Sequence, residues 1–188
     1  NDGDQDLYLT NFGFNRLFRN TGHGTFIDVA SDSGSRARFA KRWMGCAWGD
    51  YDSDGWVDLI IVHHLLQYDA RKFSIWEPLE KTGGVVLLHN EGDGTFTNTT
   101  RFLGDDSQPA IVQIERTEFF GSVWGAGFQP GWVDLDNDGD LDLYVVNDFG
   151  GKIQPNVLWR NDGAADNGGW SFVDVSSTTG SDVKINGM

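Results

Sequence analysis

Apolar positions in this chain fall in short bursts rather than at helical spacing. Leu59 to Val62, Val85 to Leu88 and Leu143 to Val146 are brief apolar runs rich in strand-favouring residues. Thr95-Phe96-Thr97 and Phe172-Val173-Asp174-Val175 alternate instead, which predicts half-buried strands. Gly22-His23-Gly24 and Gly92-Asp93-Gly94 punctuate the pattern with residues that tolerate positive φ and so close tight turns.

The bursts are organised as a repeat. NDGDQDLYLTN (Asn1 to Asn11), DYDSDGWVDLIIVHH (Asp50 to His64) and DLDNDGDLDLYVVND (Asp134 to Asp148) resemble one another. A second element follows each: NRLFRNTGHGTFIDVA, GVVLLHNEGDGTFTNTT and NVLWRNDGAADNGGWSFVDVS. A third element, MGCAWGDYD or WGAGFQPGWVDLD, precedes the later two loops. The unit reads strand, Asp loop, strand, strand, Gly turn, strand. Four strands per unit is the layout of a propeller blade. The expected fold is therefore all-β, with propeller-type four-stranded blades and an incomplete ring.

The period divides the single repeat region 1–188 into a partial repeat at 1–30, a repeat at 44–100, a repeat at 123–176 and a lead-in at 177–188. Insertions at 65–82 and 104–120 interrupt it. Asp69 to Lys81 suits a short helix, and Ile111-Val112-Gln113-Ile114 an extra strand.

The loops carry the chemistry. In the second unit the pattern is D-x-D-x-D-G-x-x-D, with Asp50, Asp52 and Asp54 at positions one, three and five and Asp58 at nine. Gly55 makes the sharp turn, and Trp56 offers its backbone carbonyl at seven. The third unit places Asp134, Asp136, Asp138, Gly139, the Asp140 carbonyl and Asp142 at the same positions. Calcium is a hard cation that takes about 6–8 oxygen ligands at roughly 2.3–2.6 Å, and alternate side chains on a tight loop converge on one point. Softer metals favour His or Cys, and these loops contain neither. An EF-hand begins the same way but needs Glu at position twelve. Ile61 and Val145 stand there, and the flanks are strand-like. The rival reading, Asp-rich β-turns without a metal, has to explain two complete copies and a partial third.

Aligning NDGDQDLYLTN on NDGDLDLYVVN puts Asp2 at position five, Gly3 at six, the Asp4 carbonyl at seven and Asp6 at nine. The first repeat is thus truncated, and Asn186-Gly187-Met188 stops where a new first strand would begin. Two readings stand: an excerpt of a longer repeat protein, or a chain whose missing strand and ligands come from a neighbouring copy.

Composition narrows the function. The chain has 188 residues and a formal net charge of −14, which argues against nucleic acid and against an anionic membrane surface. No run is apolar enough to span a membrane. Cys46 is the one cysteine, so no intrachain disulfide forms, and it reads as a small core residue.

DYDSDGWVDL and DLDNDGDLDLYVVN, with NRLFRNTGHGTF and NVLWRNDG, resemble the FG-GAP or VCBS repeats. MGCAWGDYDSDG with its following N-x-L-x-R-N element is most similar to the cartilage acidic protein-like group. The resemblance implies a β-propeller with Ca2+ in two complete loops and one partial loop. It also implies an extracellular, secreted or cell-surface place and a role in adhesion or recognition of an undetermined protein or glycan partner. The expected function is a non-enzymatic calcium-binding module for interaction, adhesion or assembly. The alternatives are a subunit of a homopolymeric filament and a calcium-dependent polysaccharide-active enzyme.

Other motifs add little. His63 and His64 end a strand and His23 and His89 sit in or next to turns, without ligand spacing for a transition metal. No catalytic residue stands out. Trp48, Trp56, Trp132, Trp159 and Trp170 read as core, and Trp76 as the best exposed contact. Asn98-Thr99-Thr100 is a glycosylation sequon.

Overall fold

A computed structural model of the chain describes residues 2–37, 41–64, 84–103, 127–148, 155–166 and 168–184. In chain order the strands are β1 (Leu7–Leu9), β2 (Phe12–Gly13), β3 (Arg16–Asn20), β4 (Phe26–Asp28), β5 (Lys41–Gly49) and β6 (Asp58–His64). They continue as β7 (Val85–Asn90), β8 (Phe96–Asn98), β9 (Gly127–Val133), β10 (Asp142–Asn147), β11 (Val157–Ala164) and β12 (Trp170–Asp174). A 3-10 turn at Thr100–Leu103 and one helical turn, α1 (Ser176–Thr179), complete the described elements. The fold is all-β, as its sequence pattern requires. The insertions, with the expected helix at 69–81, Trp76 and the expected strand at 111–114, lie outside the described residues.

Among the described residues every strand pairing is antiparallel, and the strands form three sheets. The first sheet has order β1-β3-β4 and the third β12-β11-β10-β9. The second is a correction to the four-stranded expectation: it has five strands, in order β2-β5-β6-β7-β8. The extra strand is only Phe12–Gly13, which leaves the first repeat and pairs with Arg42 and Lys41 on β5. Bridging to the neighbouring sheet gives a lone strand edge a partner.

The side-chain period of two explains how the sheets stack. Ile60, Val62, Val85 and Leu87 face the third sheet and pack with Leu143, Val145, Val157, Trp159 and Phe172. Leu59, Ile61, Val86 and Leu88 point the other way and pack with Tyr8, Leu17, Ala30 and Trp43. Both faces of β6 and β7 are thus buried, which is why those runs are continuously apolar rather than alternating. The curled sheets form a half-barrel, the arrangement of an incomplete β-propeller.

Glycine sets the approach of β5 to the third sheet. A Cβ added at Gly49 would lie 2.5 Å from the Trp132 ring, and one added at Gly127 would lie 2.8 Å from the Val62 Cβ. The glycine-rich elements ahead of each Asp loop are therefore packing devices at the sheet junction.

Several core expectations need adjustment. Trp159 is buried, while Trp48, Trp132 and Trp170 are partly buried against the two clusters. Trp56 is exposed, because it belongs to a loop and not to a strand. Cys46 is only half-buried at the edge of the core shared by the first two sheets.

Candidate metal centre

Each Asp loop joins two neighbouring antiparallel strands: β5 to β6 in the second sheet and β9 to β10 in the third. The loops fold alike because the same positions need the same backbone. Gly55 and Gly139 at position six have φ of 91° and 99°, and Gly3 in the partial repeat has 95°. A side chain there would be strained. Position four is also left-handed, at Ser53 (φ 57°) and Asn137 (φ 60°). Asn tolerates this region better than Ser does.

Position five anchors the turn in all three copies. Asp54 Oδ1 accepts the Trp56 N–H at 2.8 Å, Asp138 Oδ1 that of Asp140 at 2.9 Å, and Asp2 Oδ1 that of Asp4 at 3.1 Å. The residues expected to offer carbonyls, Trp56, Asp140 and Asp4, are thus held through their amides. Position one accepts across the loop: Asp50 takes the N–H groups of Asp54 and Gly55, and Asp134 that of Gly139 at 3.3 Å.

Position nine is the hub. Asp58 and Asp142 are fully buried at the start of β6 and β10. Asp58 accepts the Tyr51 N–H at 3.1 Å and the Asn90 N–H at 2.8 Å. Asp142 accepts those of Leu135 at 2.6 Å and Asn161 at 2.8 Å. Asp6 accepts the Asn20 N–H at 2.8 Å. Asn20, Asn90 and Asn161 then return a side-chain N–H to the carbonyls of Gln5, Val57 and Leu141. Asn161 also reaches the Tyr51 carbonyl at 2.8 Å, tying the third repeat to the second loop. Asn20 and Asn161 end N-x-L-x-R-N elements and Asn90 ends the equivalent run Val85 to Asn90, but their bonding role is not legible from sequence, because it spans two elements.

The loops gather carboxylates. Asp50, Asp52 and Asp54 place ligand atoms within 4.8 Å of one another, as do Asp134, Asp136 and Asp142. Asp138 and Asp140 stand outside the second group, and among the described residues Asp2, Asp4 and Asp6 form none. The fold also delivers a residue that sequence spacing did not suggest. His89, next to the hub Asn90 on β7, joins Asp52 and Asp58 in a third group. Its Nδ1 lies 3.2 Å from both Asp52 Oδ2 and Asp58 Oδ1.

Electrostatics and hydrogen-bond satisfaction both bear on what the loops could hold. Burial pushes the Asp58 carboxyl up to about 6, against the opposing pull of the Asn90 and Tyr51 amides. Asp52 is raised by burial and then by Asp54. Asp140 is raised by desolvation and then by Asp138, Asp134, Asp142 and Asp136. Asp52 Oδ1 and Asp134 Oδ1 are buried with no hydrogen-bond partner. Converging carboxylates with orphaned buried oxygens fit a hard cation.

Elsewhere, His64 Nε2 meets Asp148 Oδ2 at 3.3 Å across the second and third sheets. Asn98 is exposed at the end of β8, with its Oδ1 accepting the N–H of buried Thr100. Among the described residues no helix is long and apolar enough to cross a membrane.

The comparisons bear on the same repeats. Cartilage acidic protein 1 of Xenopus tropicalis is 26% identical over 175 residues, covering 77% of this chain. The chain spans about a quarter of that relative's length, 27%. The family model for the FG-GAP-like repeat matches residues 1–61, from the partial first loop through the complete second one. With three blade-like sheets built on one repeating loop, the chain is similar to the FG-GAP-like repeat proteins, by direct match over residues 1–61.

Proposed function

We propose that the chain is a non-enzymatic, extracellular calcium-binding repeat module that serves protein interaction, adhesion or assembly. The observation that carries the reading is the pair of loops that each converge three carboxylates and leave a buried carboxylate oxygen without a partner. Asp50, Asp52, Asp54 and Asp58 would hold one ion with the Trp56 carbonyl. Asp134, Asp136, Asp138 and Asp142 would hold the other with the Asp140 carbonyl. Bound calcium supplies positive charge where like charges crowd, and so fastens each loop to the strands it joins. The likeness to cartilage acidic protein 1 supports the extracellular placement. Chelation should lower the melting temperature: a ligand held at about 100 times its dissociation constant contributes about 2.7 kcal/mol. A melting curve that ignores both chelator and added calcium rejects the reading.

A second reading, self-association through the open face of the first sheet, rests on a separate observation. Leu59, Ile61 and Leu88 are buried against the first sheet, with Phe96 beside them. By register their counterparts in the first sheet are Leu7, Leu9, Phe18 and Phe26, and of these Leu7, Leu9 and Phe26 are exposed. The fitting occupant is the same face of a second copy, so that Leu7, Leu9 and Phe26 of each chain meet across a twofold contact. Native mass should then rise with concentration, and Leu9→Lys with Phe26→Lys should hold the chain monomeric. A monomer at every concentration ends this reading.

A further inference from the structure

We infer that the second loop, alone among the three, is also a mixed nitrogen–oxygen site for a borderline-soft divalent cation of the zinc class, held by Asp52, Asp58 and His89. The inference goes beyond the calcium reading and shares two carboxylates with it.

The imidazole is placed for ligation. His89 Nδ1 is buried and sits 3.2 Å from Asp52 Oδ2 and from Asp58 Oδ1, yet makes no hydrogen bond to either. A nitrogen that close to two carboxylate oxygens without donor alignment has the geometry of neighbouring ligands around one ion. The spacing agrees: ligand atoms at about 2.0–2.1 Å from zinc in a tetrahedral site stand roughly 3.3 Å apart. The first carboxylate has capacity to spare, since Asp52 Oδ1 is buried and unpartnered. The second is rigid, because Tyr51 and Asn90 amides clamp both Asp58 oxygens. The Tyr51 ring, edge-on to His89 at 6.1 Å, packs beside the imidazole.

The other repeats cannot do this. By register, His89 corresponds to Arg19 in the first repeat and Arg160 in the third. A guanidinium has five donors and no lone pair to offer a metal. Arg160 instead turns to Asp162, with its Nε 2.6 Å from Oδ1. Imidazole favours zinc and its neighbours, whereas calcium prefers oxygen.

The test is calorimetric titration of the whole metal-stripped chain with Zn2+ alone, repeated with excess Ca2+. One zinc should bind per chain, more weakly when calcium competes for Asp52 and Asp58. His89→Arg should cut zinc affinity at least tenfold and leave calcium stoichiometry unchanged, and the smaller change His89→Gln should do the same. Absence of zinc binding at stoichiometric concentration, or equal binding by both variants, overturns the inference. Zinc binding lost in the variants while the chain takes no calcium would uphold it and reject the calcium reading. Calcium binding with no zinc would do the reverse.

Discussion

The second and third Asp loops share their spacing, their left-handed positions four and six and their clamped ninth residue, yet they sit in different surroundings. At position two the second loop has Tyr51, 2% exposed, packed among Trp132, Trp170, Phe172 and His89. The third has Leu135, 40% exposed. The difference follows from blade order: the second loop is covered by the third sheet, and among the described residues nothing covers the third loop in the same way. One motif therefore yields a loop wedged into a core and a loop facing solvent. Local sequence builds the loop, and its neighbour sets its dielectric, its accessibility and which fourth side chain can reach it.

The sharpest way to break that comparison is to truncate position two in each loop. Tyr51→Ala should cost about 3–5 kcal/mol, as large aromatic deletions in cores do. Leu135→Ala should cost within about 0.5 kcal/mol, as exposed sites do. Urea denaturation of both variants in calcium is the measurement, and equal losses would mean that the loops do not differ in burial.

The next effect is in pH. In chelated protein the Asp58 carboxyl is pushed up to about 6 by burial, above its unfolded value. The folded state then holds the proton more tightly. Its contribution to stability is full below the ordinary carboxylate range and is lost as pH rises through about 6. Relative to Asp58→Ala, chelated wild type should gain stability as pH falls from 7 to 4. Saturating calcium should remove or reverse this slope, because the ion holds the carboxylate ionised. A variant whose stability tracks wild type across that range would contradict the assignment.

The smallest effect concerns position four. Ser53 adopts a left-handed backbone that Asn137 occupies in the third loop. Ser53→Asn should stabilise the chain by about 0.5 kcal/mol, since Asn visits this region at less cost. A melting temperature that falls instead would show that the two turns are not interchangeable.

Much of the fold was legible in the chain. Period-two patterning, Gly turns and the repeated Asp loop give the strands and the blade-like unit, because each depends on residues near in sequence. The five-stranded second sheet was not legible: Phe12–Gly13 is too short to read as a strand, and its partner lies in the next repeat. The exposure of Trp56 was also hidden, since a Trp reads as core until the turn at Gly92 is seen beside it, 2.7 Å from where a Cβ would stand.

By itself the sequence determined that acidic side chains at every second position would share one tight turn, because that spacing is a local property of the backbone. Only the tertiary structure decided that His89 reaches the second turn while Arg160 leaves the third, and that Tyr51 is buried while Leu135 is not. These outcomes depend on strand register and on which sheet lies across the loop. Both are set by how apolar faces from distant segments stack.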